Sequence, residues 1–537
     1  MVAQRPGSIA ELRRGLNLLG GVFLILWMLY GVPLDNLNWD PSFYYAHIRS
    51  PVVDGDLDFH NDGQPPFLVG PRTRTGLTPS VWSAGPAVLW APFFLLAHGV
   101  TLGGQRLGLP LTPDGYGPFY IIFSGLGSAF FGWLGVVLCY LIARRVAGVG
   151  PALIAALAVW LASPLFYFMY KVPLMSHAPT AAATSAVVYL WLRVADDLDA
   201  IGFWFLLGLL IGIAGLMRWQ NGLFAAIVPF ALRLDRRQPG WLRGAGQRLG
   251  LAAAGALLGF LPQMVVWWRI YGAPLAMPQG GGFLCWFRPE LVSLLFGSNR
   301  GLFVWQPIAL LGCAGLVLFA RRRHRLGAAL ILITVLETYL NSVVLDWWGG
   351  GGYGSRRFDW FTPILALGLG LLIESVWRRP FARIGVYVLA GCCIAYQIAL
   401  AQAHYYGVLP GGVPFPRQQH DQGQPLPGDF FAQIVVGTLR EPAFLIATKP
   451  SILTTDVPPL QTLLKIARGS PIDLQAVASG AACALAVVLL VATRSIASAM
   501  HRRCETGHAY ASLALRVSLV ALVWVLTASL VFWMTGP

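Results

Sequence analysis

The sequence predicts an all-α polytopic membrane protein: a bundle of about thirteen transmembrane helices with a long first external loop that carries surface or re-entrant helices. The 537 residues are 56% hydrophobic and only 11% charged, and their mean hydropathy is +0.63. A soluble domain carries about 25% charged residues. About a dozen apolar runs are also long enough to cross a hydrocarbon core of roughly 30 Å.

The formal charge of +15 does not indicate a nucleic-acid partner, because the arginines cluster at the ends of apolar runs. Such clusters, for example at 144–145 and 321–325, are typical of cytoplasmic loops. This rule predicts a multi-pass protein of the plasma (inner) membrane that contacts its lipids, with the N-terminus cytoplasmic and the C-terminus external. The seven cysteines form no CxxC or Cys/His metal spacing.

The first span, at about 15–33, leads to an external loop at 34–117. Within this loop, the run 80–102 is apolar but contains Gly85, Pro86 and Pro92. The next run, 118–142, ends in Arg144 and Arg145, so it must return to the cytoplasm. Both runs cannot cross the membrane without inverting the topology. We therefore interpret 80–102 as a surface or re-entrant helix.

The later spans alternate with basic loops to the end of the chain. We expect three regions: a catalytic transmembrane module at 1–402, an external Pro/Gly-rich segment at 403–475, and C-terminal transmembrane helices at 476–537. The numbered spans are expected at about 150–170, 178–194, 201–217, 249–268, 302–320, 326–346, 384–402, 476–494 and 512–533, with further spans ending before Arg233 and before Arg378.

Acidic residues concentrate just after the first span, where 35–62 holds six of the chain's 23 carboxylates. Asp40 precedes the aromatic residues Phe43, Tyr44 and Tyr45. A carboxylate at a cavity mouth, partly desolvated by aromatic rings, can act as a general base. Asp-Pro is also a good helix start, and the two interpretations are compatible.

Asp54-Gly55-Asp56 is a DxD sequence. In an extended backbone its two carboxylates point the same way and could share a divalent cation. Asp-Gly is equally a turn signal, so a metal site formed by Asp54 and Asp56 stays open.

Basic residues outside the cytoplasmic clusters stand at the external ends of different spans: Lys171, Arg218, Arg300, Arg356 and Arg357. Converging helices would place them around one cavity suited to phosphate, because a guanidinium donates two parallel hydrogen bonds. The alternative for each is snorkelling to lipid headgroups.

A histidine and a glycine run also lie at the predicted external ends of spans. His177 can bind or orient a substrate, or it can be a buried, hydrogen-bonded histidine. The glycine run 349–352, followed by Tyr353, allows close backbone approach to a ligand.

In order along the chain, these pieces resemble the GT-C membrane glycosyltransferases, specifically bacterial relatives of protein O-mannosyltransferase and of the lipid A aminoarabinose transferase. The resemblance covers most of the first ten spans. It is carried by Trp39-Asp40-Pro41-Ser42-Phe43-Tyr44, Asp54-Gly55-Asp56-Leu57-Asp58, Pro173-Leu174-Met175-Ser176-His177-Ala178, Arg218-Trp219-Gln220-Asn221, the run 298–307, and Tyr353-Gly354-Ser355-Arg356-Arg357-Phe358.

The resemblance implies a GT-C-like bundle with an external active site, a polyprenyl-phosphate sugar donor, and a lipid, glycan or protein acceptor. Asp40 would be the base that deprotonates the acceptor hydroxyl. The substrate-binding residues would be Tyr44, Tyr45, Asp54, Asp56, Lys171, His177, Arg218, Gln220, Arg300, Tyr353, Arg356 and Arg357.

The chain departs from the family at two points. Relatives commonly have Asp-Glu after the first span, where this chain has Asp40-Pro41, and many carry an acid where this chain has Ser176-His177. A transporter or flippase of a lipid-linked anion is the alternative function. It should show acids near mid-membrane on several helices, and only Glu337 fits that description.

Overall fold

The computed structural model of the protein describes residues 9–34, 37–62, 71–196, 200–232, 237, 240–446, 474–504 and 509–535. Within these ranges every regular element is a helix, and the β-type contacts are two isolated bridges, Leu284–Val344 and Val408–Pro414. The predicted all-α class is therefore confirmed. Asp35 and positions 447–473 of the predicted external segment lie outside the described residues.

The α-helices, numbered in chain order, are as follows: α1 Ile9–Tyr30, α2 Asp40–Arg49, α3 Gly85–Arg106, α4 Pro118–Ala143, α5 Val149–Leu161, α6 Leu165–Tyr170, α7 His177–Asp196, α8 Ile201–Met217, α9 Trp241–Tyr271, α10 Leu291–Phe296, α11 Leu302–Trp305, α12 Ile308–Arg322, α13 His324–Ser342, α14 Thr362–Val376, α15 Pro380–Tyr406, α16 Arg417–Asp421, α17 Phe430–Arg440, α18 Leu474–Cys504 and α19 Ala509–Met534. Two 3₁₀ helices, Trp219–Ala231 and Arg356–Phe361, contribute to the site described below.

Eight stretches of helix in the described ranges are long and apolar enough to cross a membrane: Ile9–Tyr30, Gly85–Arg106, Pro118–Ala143, Trp241–Tyr271, Arg356–Val376, Pro380–Tyr406, Leu474–Ser498 and Arg516–Met534. The chain is thus a multi-pass membrane protein, although the predicted number of thirteen spans is not confirmed. Several predicted spans form shorter helices; the run 150–170, for example, breaks between α5 and α6 around Pro164.

Glycines set the closest helix contacts in the bundle. An added Cβ on Gly208 or Gly212 of α8 would lie 1.9 Å from the Ala252 carbonyl oxygen or 2.2 Å from that of Ala256, both on α9. The helices α12 and α14 approach each other as closely, since a Cβ on Gly315 of α12 would lie 1.9 Å from the carbonyl oxygen of Gly368 on α14. Small residues at these positions allow backbones to approach closely, which is how helices commonly associate in lipid.

The helix α3 has the length of a membrane span, and it packs both against α2, in the predicted external loop, and along the predicted span α4. Phe94 packs against Tyr45 of α2 at 5.6 Å and against Tyr120, near the start of α4, at 5.0 Å between ring centroids. Phe93 packs against Phe130 at 6.3 Å. The predicted surface or re-entrant course of 80–102 stays a prediction.

Candidate active site

Asp40 is the first residue of α2, and Pro41 follows in the first turn, where its fixed φ suits a helix start. The preceding Trp39 has a φ of +55°, one of two positive values among the described non-glycine residues. Trp39, and not Asp40, therefore occupies the N-cap position of α2. Oδ2 of Asp40 accepts a hydrogen bond from Nη1 of Arg356 at 2.9 Å, and the Asp40 side chain remains 31% exposed.

The glycine run 349–352 encloses the guanidinium of Arg356. Nη2 of Arg356 donates to the Gly349 carbonyl oxygen. A Cβ on Gly352 would lie 2.5 Å from Cζ of Arg356, and one on Gly349 would lie 2.9 Å from its Nε. The absence of side chains at these two positions is therefore what allows the loop to close around the charge.

The 3₁₀ helix Arg356–Phe361 carries three functional candidates in two turns. Nη2 of Arg357 donates to both the carbonyl oxygen and Oδ1 of Asp346, each at 2.6 Å. The Asp359 carboxylate bonds Nδ1 of His177, the first residue of α7. Both His177 and Asp359 are buried, so the structure realises the buried, hydrogen-bonded alternative for His177. The contact fixes α7 to the helix that presents Arg356 and Arg357.

Arg218 follows α8 and reaches the same region through a short hydrogen-bond chain. Its Nε donates to Ser176 Oγ at 2.9 Å, and Ser176 Oγ donates to the Tyr44 hydroxyl at 3.0 Å. Tyr44 lies one helical turn beyond Asp40 on α2. Gln220 is half-buried in the 3₁₀ helix that follows Arg218. The charge of Arg218 acts on Arg357, as does that of Arg356, so these three arginines share one neighbourhood.

Arg300 joins this cluster from the loop before α11. Its backbone has a φ of +62°, a conformation that non-glycine residues rarely adopt. Its Nη1 donates to the Trp348 carbonyl oxygen at 3.4 Å, and its Nη2 lies 3.6 Å from Oδ1 of Asp421. Burial lowers the pKa of Arg300 to about 9, and the nearby positive charge of Arg356 contributes.

Lys171 sits in a cage of tyrosines. Its Nζ donates to the Tyr406 hydroxyl at 3.1 Å and lies 4.5 Å, 5.0 Å and 5.1 Å from the ring centroids of Tyr405, Tyr406 and Tyr30. Aromatic faces stabilise a buried ammonium through cation–π attraction. The predicted contact between Lys171 and a phosphate stays a prediction.

Tyr45 and Tyr353 are both buried, with their hydroxyls bonded to protein groups. The Tyr45 hydroxyl donates to the Gly115 carbonyl oxygen at 2.6 Å. The Tyr353 ring stacks on Tyr167 at 4.4 Å between centroids, and its hydroxyl accepts from Nε2 of Gln397 at 2.6 Å. Their predicted contacts with substrate are untested.

The two aspartates of the DxD sequence belong to different hydrogen-bond groups. Asp54 pairs with Arg49, whereas Oδ1 of Asp56 accepts from Ser50 Oγ at 2.7 Å and from the Asp58 amide at 3.0 Å. Across the described residues, no group of three or more His, Cys, Asp or Glu side chains is placed to hold a metal ion. These contacts do not fit a shared cation between Asp54 and Asp56, and we assign no step to a metal.

Three acidic residues of this region, Asp346, Asp359 and Asp421, were not anticipated from the sequence. Asp346 and Asp359 flank the glycine–arginine segment within a few residues on either side, so their position was a usable signal. Asp421 lies in the segment predicted to be external, and nothing in its local sequence connects it with Arg300.

Residues 124–268 match the family model described as dolichyl-phosphate-mannose-protein mannosyltransferase. The match confirms the resemblance to membrane glycosyltransferases that the motifs indicated. It contains Lys171, His177, Arg218 and Gln220. No curated protein matches the chain significantly.

Among solved structures, the chain is similar to the oligosaccharyltransferase of Archaeoglobus fulgidus in complex with Zn and sulfate, with a TM-score of 0.41, 15% identity and 83% of this chain covered. A second structure, AglB of Archaeoglobus fulgidus with an inhibitory peptide and a dolichol-phosphate, gives a TM-score of 0.41 and 14% identity over 83% of this chain. This chain covers 57% and 60% of those two proteins. A TM-score of this size carries no argument about activity.

Proposed function

We propose that this protein is an inverting glycosyltransferase that moves a sugar from a polyprenyl-phosphate donor to an acceptor hydroxyl at the external face of the membrane. One observation carries the proposal. The Asp40 carboxylate bonds Arg356 at 2.9 Å beside Arg218, Arg300 and Arg357, and these residues come from distant parts of the chain. The family match over 124–268 supports the same reaction class.

In this reaction the acceptor hydroxyl gives its proton to an oxygen of Asp40. Its oxygen then forms a bond with the anomeric carbon of the sugar. The bond from that carbon to the phosphate oxygen breaks, and the electron pair leaves with the lipid phosphate, so the anomeric configuration inverts. The partial exposure of Asp40 suits this step, because the base must reach a substrate that enters from outside.

The arginine cluster supplies the second requirement, which is stabilisation of the charge that builds up on the departing phosphate. A guanidinium offers two parallel donors to phosphate oxygens, and donors fixed before the reaction need no reorganisation during it. Arg356 and Arg357 are held by Gly349 and Asp346, and Arg218 is held by Ser176. These contacts keep the cations in place before a donor binds.

A lipid-linked donor also suits a site at the external ends of membrane helices. Its polyprenyl chain can stay among the bilayer lipids while the phosphate and sugar enter between the helices. The acceptor can be a lipid, a glycan or a protein, since an attacking hydroxyl occurs in all three classes.

The decisive experiment compares wild-type protein with Asp40→Asn in an assay that supplies a panel of polyprenyl-phosphate sugars and measures released lipid phosphate. We expect Asp40→Asn to lower kcat by roughly 10²- to 10⁴-fold, the usual size of general-base catalysis. Asp114→Asn is the matched control, because Asp114 is an exposed aspartate of the same external loop. Equal turnover by wild type and Asp40→Asn would remove Asp40 from catalysis.

A further inference from the structure

The external segment that follows α15 covers one side of the arginine cluster. We call residues 418–426 the closing segment. Nδ2 of Asn299 lies within hydrogen-bond distance of three of its carbonyl oxygens, those of Gln419 at 3.2 Å, His420 at 3.1 Å and Gln424 at 2.7 Å. The Leu426 amide donates to Ser298 Oγ at 3.0 Å. The closing segment is therefore fixed to the loop that carries Arg300.

A second loop holds the closing segment from another direction. Nε1 of Trp348 donates to the Asp421 carbonyl oxygen at 3.2 Å. Gly423 has a φ of +74°, and a Cβ there would lie 2.6 Å from Cδ2 of Trp348, so the indole packs directly on the backbone. Trp348 immediately precedes the glycine run around Arg356. The closing segment is thus attached to the loops of both Arg300 and Arg356.

This attachment places the Asp421 carboxylate against Arg300. The Arg300 side chain is 1% exposed, and in the described residues its Nε and Nη2 have no hydrogen-bond partner. Asp421 supplies a negative charge at 3.6 Å from Nη2, too far for a hydrogen bond, and its own side chain is 46% exposed. Arg300 is therefore a buried guanidinium with unpaired donors on a residue of unusual backbone conformation. A ligand that accepts hydrogen bonds from these donors would stabilise it more than the Asp421 carboxylate does.

We propose that Asp421 is a built-in competitor for the anionic group of the donor, and that it sets the affinity of the site for prenyl phosphates. The inference rests on the proposed function. Phosphate oxygens can accept two hydrogen bonds from Nε and Nη2 of Arg300, which Asp421 leaves open. The incoming phosphate takes the place of the Asp421 carboxylate at Arg300. The attraction between Asp421 and Arg300 therefore has to be given up when the donor binds, and this cost weakens binding.

The test measures the dissociation constant of farnesyl phosphate for purified full-length protein in detergent. Asp421→Asn is expected to tighten binding by about 3- to 10-fold, because the phosphate no longer has to displace a carboxylate from Arg300. Asp421→Ser should give the same gain. Asp429→Asn is the matched control: it removes one negative charge from the same external segment, but that carboxylate bonds Gln433 instead. Its affinity should stay at the wild-type value.

A double-mutant cycle identifies Arg300 as the partner. In an Arg300→Gln background, Asp421→Asn should no longer change affinity, because the two residues act through one contact. An equal gain in that background would overturn the inference, as would unchanged affinity in Asp421→Asn while Arg356→Gln abolishes binding; the latter result would leave the proposed function intact. Failure of the wild-type protein to bind farnesyl phosphate would overturn both.

Discussion

The surroundings of Arg356 show how the protein holds a buried positive charge in a fixed position. Its guanidinium is buried, one nitrogen bonds Asp40, and another bonds the Gly349 carbonyl oxygen. A buried cation is costly unless it is paired and hydrogen-bonded, and here both conditions are met. The glycine run, which the sequence marks as a flexible loop, is in the structure a close-fitting wall around this group.

The importance of the close fit between the glycine run and Arg356 can be tested by substituting two neighbouring glycines. Gly352→Ala would place a methyl group 2.5 Å from Cζ of Arg356 and should displace the guanidinium from Asp40. We expect kcat/KM for a prenyl-phosphate sugar to fall about 10- to 100-fold, the loss of one positioned charge contact.

Gly351→Ala is the matched control, because a Cβ there meets Asp421 at an ordinary 3.6 Å. The measurement is kcat/KM of both variants by steady-state kinetics. Thermal unfolding confirms that each variant is folded. Equal activity of the two variants would show that the fit around Arg356 does not matter for turnover.

The sequence singled out the arginines of the candidate site but not what holds them. Arg218, Arg300, Arg356 and Arg357 stood out because the positive-inside rule does not explain basic residues at the predicted external ends of spans. The tyrosines around Lys171 and the pairing of Asp421 with Arg300 could not. Those contacts depend on how loops far apart in the chain fold back on one another.

At the level of elements, the acidic loop after α1 has two parts: its start, where Asp40 pairs with Arg356, and a remainder whose carboxylates bond within the loop. Arg49, the last residue of α2, pairs with Asp54 and with Asp62, the latter at 2.8 Å. Its Nε donates to the Asp114 carbonyl oxygen at 2.9 Å, and its guanidinium lies 4.8 Å from the centroid of the Tyr116 ring. Most of the carboxylates that make this loop conspicuous in the sequence therefore form ion pairs and hydrogen bonds that stabilise the fold of the loop.

Asp62 gives this loop a pH dependence with a definite sign. Burial raises the pKa of Asp62 from 3.8 to about 6, against the opposing effect of Arg49. A raised pKa means that the contribution of Asp62 to stability is fully present below about pH 4 and is lost as the pH rises through about 6. We therefore expect wild-type stability to decline relative to Asp62→Asn between pH 4.5 and 7, by up to about 2 kcal/mol.

Thermal unfolding of the two proteins in the same detergent, measured across this pH range, provides the comparison. Parallel curves would show that the carboxyl group does not titrate differently in the folded state. Asp114→Asn, an exposed aspartate in the same loop, controls for the loss of charge alone.

The long apolar helices were predictable because hydropathy sets their length. The predicted spans 118–142, 384–402 and 512–533 correspond to α4, α15 and α19. The region before Arg233 differs: residues Trp219–Ala231 form a 3₁₀ helix of 13 residues, with Pro229 inside it. Runs of 3₁₀ helix longer than a few residues are uncommon, and neither hydropathy nor periodicity distinguishes them from a span.

At the scale of the whole molecule, the proposed reaction needs the arginine cluster on the external side. This orientation can be tested with single cysteines in a background without the native ones. Arg440→Cys, at the exposed end of α17, should react with a membrane-impermeant maleimide on intact cells. His324→Cys, at the exposed first residue of α13, should react only after permeabilisation, because it lies in the strongest basic cluster. The reverse labelling pattern would place the candidate site in the cytoplasm.

The predicted cytoplasmic end of the bundle contains three ion pairs. Asp196, the last residue of α7, pairs with Arg145 at 2.6 Å and with Arg323, and Arg144 pairs with Glu11 of α1 at 3.1 Å. Charged side chains thus tie the ends of α1, α4, α7 and α12 to each other on one side of the bundle. Helices that are held together at one end can separate more easily at the other end. We therefore expect any motion that admits a substrate to separate these helices in the outer leaflet, while their ends in the inner leaflet stay in contact.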